Sequence, residues 1–131
     1  MTLDLAKDIL ETLVARAKHA GPEECCGILL GRDGRILEAR PAANIAPDRR
    51  RHFEIDPQAL IDAHRAARAG GPQVIGYYHS HPAGPAAPSA TDRAMASGDG
   101  RVWAIVGEDD VTFWRDDRDG FAPLPYAVED R

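Results

Sequence analysis

The stretch from Tyr77 to Asp92, YYHSHPAGPAAPSATD, constrains this chain more than any other. Val74, Ile75, Tyr77 and Tyr78 are β-branched or aromatic, so the pattern predicts a strand running into His79 and His81. Side chains two apart on a strand share a face, so both imidazoles project together; on a helix an i, i+2 pair diverges. Seven residues separate His81 from Ser89, and two more separate Ser89 from Asp92. Two convergent imidazoles plus a carboxylate from a following helix make a three-ligand set for zinc, with a fourth position left for water. The same donors also suit iron or manganese. Ser89-Ala-Thr-Asp92 is in addition a capping box, with Ser89 as N-cap. Capping explains the serine and the aspartate but not the histidines. The two readings are compatible, because a capped helix start holds Asp92 rigidly.

A second carboxylate comes from upstream. Glu24 to Leu30 is a short apolar run ended by Gly31, a pattern that predicts a buried strand. On it Glu24 shares a face with Cys26 and Ile28 and points inward, where an unpaired carboxylate is costly. A metal-bound water would be one partner. Glu23 reads as a solvated loop acid, although a register shifted by one residue would exchange the two roles. Cys25 and Cys26 are adjacent, which suits neither a disulfide nor C-x-x-C zinc spacing, so they read as core.

At these residues the chain resembles the JAMM/MPN+ metalloproteases. Their signature is H-x-H, seven residues, S, two residues, D, with a glutamate upstream on an early strand; His79, His81, Ser89 and Asp92 match it in full. Pro22 to Gly31, PEECCGILLG, resembles the glutamate-bearing strand of the small bacterial members. The family glutamate precedes x-Cys-Gly, which selects Glu24 here. The resemblance implies an MPN fold, a curved mixed sheet flanked by helices with a cytidine-deaminase-like architecture. It further implies one Zn2+ per chain on His79, His81 and Asp92, with Glu24 as general acid and base and Ser89 as donor to the oxyanion. The implied substrate is the C-terminal tail of a ubiquitin-like or sulfur-carrier protein, cut at the amide of its terminal glycine, for example to release cysteine. A broader, deubiquitinase-like isopeptidase and a non-catalytic MPN-like scaffold are the alternatives. A zinc deaminase needs H-x-E and P-C-x-x-C, and neither string occurs.

The remaining chain predicts a mixed α/β (α+β) fold. With 131 residues, one domain over 1–131 is expected. A net charge of −5 argues against nucleic acid. The sequence shows neither a long apolar run nor a signal-like start, so membrane insertion is not expected and a cytoplasmic location is. Leu3 to Ala20 has helical apolar spacing, stopped by Gly21-Pro22. Asp33-Gly34 predicts a hairpin into a strand over Ile36 to Arg40, and His52 to Ile55 predicts a third strand. Pro57 opens a helix to Ala69 carrying His64, which reads as a surface or interhelical histidine. The Ser89 helix ends near Ser97, strands follow at Val102–Val106 and Val111–Arg115, and the tail caps a sheet edge or frays. Arg49, Arg50 and Arg51 read as a solvated loop, with an acidic protein as the partner if they bind at all. Ser80, between the histidines, falls on the opposite strand face and reads as a packing or hydrogen-bonding residue.

Overall fold

A computed structural model describes residues 2–129. The chain forms β1 (Leu3–Leu5), α1 (Ile9–Ala20), β2 (Cys26–Arg32), β3 (Arg35–Ala42), α2 (Pro57–Arg68) and β4 (Gln73–Ser80). It continues through α3 (Ala90–Met95), β5 (Val102–Val106), β6 (Val111–Asp117), β7 (Gly120–Leu124) and β8 (Tyr126–Val128). All the strands join one mixed sheet in the order β7-β6-β5-β4-β2-β3-β1-β8. β7 and β8 lie at opposite ends of that order, yet Pro125 alone connects them. One residue spans about 7 Å at most, so the sheet must curl until its two ends meet. The Phe113 and Tyr126 rings touch edge-on across this closure, 5.0 Å apart, and the Leu3 amide donates to the Pro125 carbonyl at 2.9 Å.

Alternation along the strands builds two cores. One face carries Leu29, Tyr78, Val102, Ala104 and Val106, covered by Ile9 and Leu13 of α1. The opposite face carries Ile28 and Leu30, covered by Leu60 and Ala63 of α2. Trp103, Phe53 and Ile55 extend that second face. β4 is the hinge of the design. It pairs antiparallel with β2 and parallel with β5, so its end is held from both sides.

Two expectations need correction. The N-terminal helix begins at Ile9, because Leu3 and Leu5 belong to a strand. Both leucines are fully buried with an exposed Asp4 between them, the alternation of a strand and not of a helix. His52 to Ile55 forms no strand; a single bridge joins Ile55 to Asn44. The Asn44 side chain takes the hydrogen bonds a neighbouring strand would have taken, accepting from the Glu54 amide and donating to the His52 carbonyl, both at 3.0 Å. The tail, expected to cap a sheet edge or fray, supplies β7 and β8 at both ends of the sheet. The Asp33-Gly34 hairpin is as expected, with φ of 52° and 79° at the two turn residues. No helix among the described residues is long and apolar enough to cross a membrane.

Candidate metal centre

β4 ends at Ser80, with His79 inside the strand and His81 just beyond it. The His81 amide still donates to the Val106 carbonyl at 2.8 Å, so the backbone stays extended and the two rings share the α2 face. The turn after His81 brings the Pro85 carbonyl to 2.9 Å from His81 Nδ1. A carbonyl only accepts, so Nδ1 carries the proton and the Nε2 lone pair faces inward.

Ser89 caps α3 through a complete capping box: its Oγ accepts from the Asp92 amide, and its own amide donates to Asp92 Oδ2, each at 3.0 Å. The box aims the Asp92 carboxylate at the imidazoles. Asp92 Oδ1 lies 3.0 Å from His79 Nε2, and Oδ2 lies 3.1 Å from His81 Nε2. The two Nε2 atoms are 3.1 Å apart, and the ligand atoms of His79, His81 and Asp92 all lie within 4.8 Å of one another. One geometry therefore contains the capping box and brings the Asp92 carboxylate against both imidazoles.

The electrostatics suit a cation. Burial alone would raise the Asp92 carboxyl, but the His79 and His81 imidazoles and the Ser89 amide packed against it hold it well below the usual carboxylate range. Burial pushes His79 down, against the pull of Asp92. An ionised carboxylate beside imidazole lone pairs is the donor state a divalent metal requires. Two nitrogens and one oxygen match the soft-to-borderline preference of zinc and leave coordination positions for water or substrate.

Glu24 and Glu23 part company. Glu24, two residues before β2, is only 8% exposed. Burial raises its pKa to about 7, with His81 drawing it down and Asp92 and Asp48 pushing it up. Glu23 instead pairs with Arg49 at 3.3 Å on the surface. Arg51 approaches Asp48 at 3.8 Å, so the arginine loop is ion-paired and exposed. His64 stays on α2, outside the metal-ligating group. Ser80 is fully buried on the other face, and its Oγ accepts from the Cys25 amide at 2.9 Å.

Sequence reasoning missed the aromatic wall. Phe53 lies parallel to the His79 ring, with centroids 4.2 Å apart and planes 14° apart, while Trp103 meets the same ring edge-on at 5.6 Å. No local pattern near Phe53 signals this contact, which depends on how the 43–56 loop folds back. Phe53, Ile55, Leu60, Tyr77, Met95 and Trp103 line a cavity of about 280 Å³ beside His79. A larger open hollow, about 640 Å³ between residues 83–87 and 108–110, contains none of the candidate site side chains.

The family described as "Prokaryotic homologs of the JAB domain" matches residues 6–117. A desampylase of Haloferax volcanii is 36% identical over 97% of this chain and 96% of its own length. A CysO-cysteine peptidase of Mycobacterium tuberculosis is 28% identical over 82% of this chain and 75% of its own. A JAB1/MPN domain protein of Archaeoglobus fulgidus superposes with a TM-score of 0.62 at 20% identity, over 96% of this chain and 97% of that one, a likeness of fold. Match, kinship and fold agree with the resemblance carried by the H-x-H motif, and the chain belongs to the prokaryotic JAB-domain family, the JAMM-type metallopeptidases.

Proposed function

We propose that this chain is a zinc hydrolase that cleaves the amide at the C-terminal glycine of a ubiquitin-like or sulfur-carrier protein. One observation carries the reading: the donor atoms of His79, His81 and Asp92 converge within 4.8 Å, and the buried Glu24 carboxyl is near enough to feel the charges of His81 and Asp92. The named activities of the desampylase and the CysO-cysteine peptidase support the substrate class.

His79, His81 and Asp92 would hold one Zn2+ per chain. When bound there, zinc supplies Lewis-acid polarisation of the scissile carbonyl and acidifies a coordinated water. Hydrolysis forms a C–O bond at the terminal glycine carbonyl and breaks its C–N bond. Glu24 accepts the proton the attacking water sheds and returns it to the leaving nitrogen, both being transfers a buried carboxyl can make. Ser89 Oγ spends a lone pair on the Asp92 amide, which leaves its hydroxyl proton free to donate to the developing oxyanion. The carrier tail lies extended in the cavity walled by Phe53, Ile55 and Trp103. The segment around Ile55, bridged on one side to Asn44, would offer the tail a main-chain edge for pairing.

The test is a tail peptide ending in Gly-Gly joined through an amide to an amine, incubated with zinc-loaded protein in 18O-labelled water. The reading expects one 18O in the new glycine carboxylate. An intact peptide, in the presence of protein holding one zinc per chain, would refute it.

A further inference from the structure

We infer that Ser80 and Asn44 are positioning residues that clamp the Glu24–Cys25 segment and so set where the Glu24 carboxyl stands. The inference rests on the proposed role of Glu24 as proton carrier.

Cys26 pairs with His79 in the antiparallel ladder of β2 and β4, so Cys25 falls opposite Ser80. A regular ladder would exchange two main-chain hydrogen bonds at that pair. Only one is made: the Ser80 amide donates to the Cys25 carbonyl at 3.1 Å. The Cys25 amide donates instead to Ser80 Oγ at 2.9 Å. A side-chain hydroxyl thus replaces a main-chain carbonyl at the point where β2 leaves the sheet. Ser80 is fully buried and lies between the two histidines in sequence, on the face opposite to them. Residue 25 is thereby tied, through both its polar main-chain groups, to the strand that carries the candidate ligands.

Asn44 holds the other side. Its Nδ2 donates to the Glu24 carbonyl and to the His52 carbonyl, both at 3.0 Å. Its Oδ1 accepts from the Ala46 and Glu54 amides, also at 3.0 Å. All four hydrogen-bonding positions of the amide are used. The Glu24 amide completes the hold by donating to the Arg49 carbonyl at 2.7 Å. The main chain on either side of the Glu24 side chain is consequently fixed from β4 by Ser80 and from the 43–56 loop by Asn44. Neither side chain belongs to the ligand group. A general base misplaced by about 1 Å can lose about 100-fold in rate, so a clamp of this kind has catalytic consequence.

The experiment compares Ser80→Ala and Asn44→Asp with the parent protein, each zinc-loaded. Asn44→Asp keeps an acceptor for Ala46 and Glu54 but cannot donate to the Glu24 carbonyl, and its half-exposed position tolerates the change even where Ser80→Ala folds poorly. Each variant is expected to lose about 10- to 100-fold in kcat with KM and zinc affinity little changed. In the metal-free protein, amide hydrogen exchange at Cys25 should quicken at least about 10-fold in Ser80→Ala. Ser80→Thr, which keeps the hydroxyl, should restore most of kcat. In a Glu24→Gln background neither variant should slow the residual rate further, because each acts through Glu24. An equal loss in both backgrounds, or unchanged exchange at Cys25, would overturn the clamp. Full turnover by Glu24→Gln alone would overturn the proton-carrier role, a result distinct from either.

Discussion

Phe53 stacks face to face on His79, 4.2 Å between centroids, although 26 positions separate them in the chain. The stack makes a loop residue part of the wall behind a candidate metal ligand. Phe53→Ala should cost about 3 kcal/mol of stability, as for other buried aromatics. It should also weaken zinc binding about 10-fold, because His79 loses the surface that orients its ring. Chemical denaturation and a competitive zinc titration measure the two. Unchanged zinc affinity would limit Phe53 to packing.

Glu24→Gln removes the proton carrier while preserving shape. Turnover should fall by about 100-fold or more with zinc still bound, a size expected for loss of general acid–base catalysis. Steady-state kinetics with elemental analysis of the same sample checks both halves. Unchanged turnover would sink the assignment.

Asp92→Asn tests whether the carboxylate is a ligand or only half of a capping box. The amide retains an oxygen for the Ser89 amide but loses the charge that faces His79 and His81. Zinc affinity should drop more than about 100-fold, beyond the loss typical of an outer-shell partner. A variant that stays fully metallated would leave Asp92 with the capping role alone.

Ser89→Ala removes two functions together. Losing the Oγ that accepts from the Asp92 amide should cost about 1 kcal/mol of stability. Losing an oxyanion donor should lower kcat about 100- to 1,000-fold. A stability loss with full kcat would leave Ser89 as a cap only.

The raised pKa of Glu24 gives metal-free protein a pH signature. Its folded value, about 7, lies above the ordinary 4.5, so the folded state holds this proton more tightly than the unfolded chain. Its contribution to stability is fully present below about 4.5 and is lost as pH rises through about 7. Between those limits, Glu24→Gln should gain stability relative to the parent as pH rises. Paired urea melts of apo protein from pH 4.5 to 8 read the difference, in which His81 and Asp92 cancel to first order. A constant difference across that range would contradict the shift.

Much of the candidate site was legible because it is written in local period. His79 and His81 are two apart on a strand, Ser89 and Asp92 are one capping interval apart, and Glu24 shares parity with Cys26 and Ile28. The features that escaped depend on tertiary context. Leu3 and Leu5 fit the apolar spacing of the helix behind them until the sheet claims them as β1. Asn44 looks like any loop asparagine in sequence, yet its side chain replaces a strand partner for 52–54. Neither the Phe53 wall nor the chain's crossing from β7 to β8 leaves a short-range trace, since each joins segments distant in the chain or at opposite ends of the sheet.

The central claim is cleavage at a carrier's terminal glycine. Intact-mass spectrometry of the source organism's own ubiquitin-like and sulfur-carrier proteins, each prepared as a C-terminal adduct, tests it most directly. With zinc-loaded protein, one carrier should lose the mass of its adduct and end in a free glycine carboxylate. Glu24→Ala and a chelated sample should leave the same adduct intact. Persistence of every adduct, with protein shown to hold its zinc, would contradict the account.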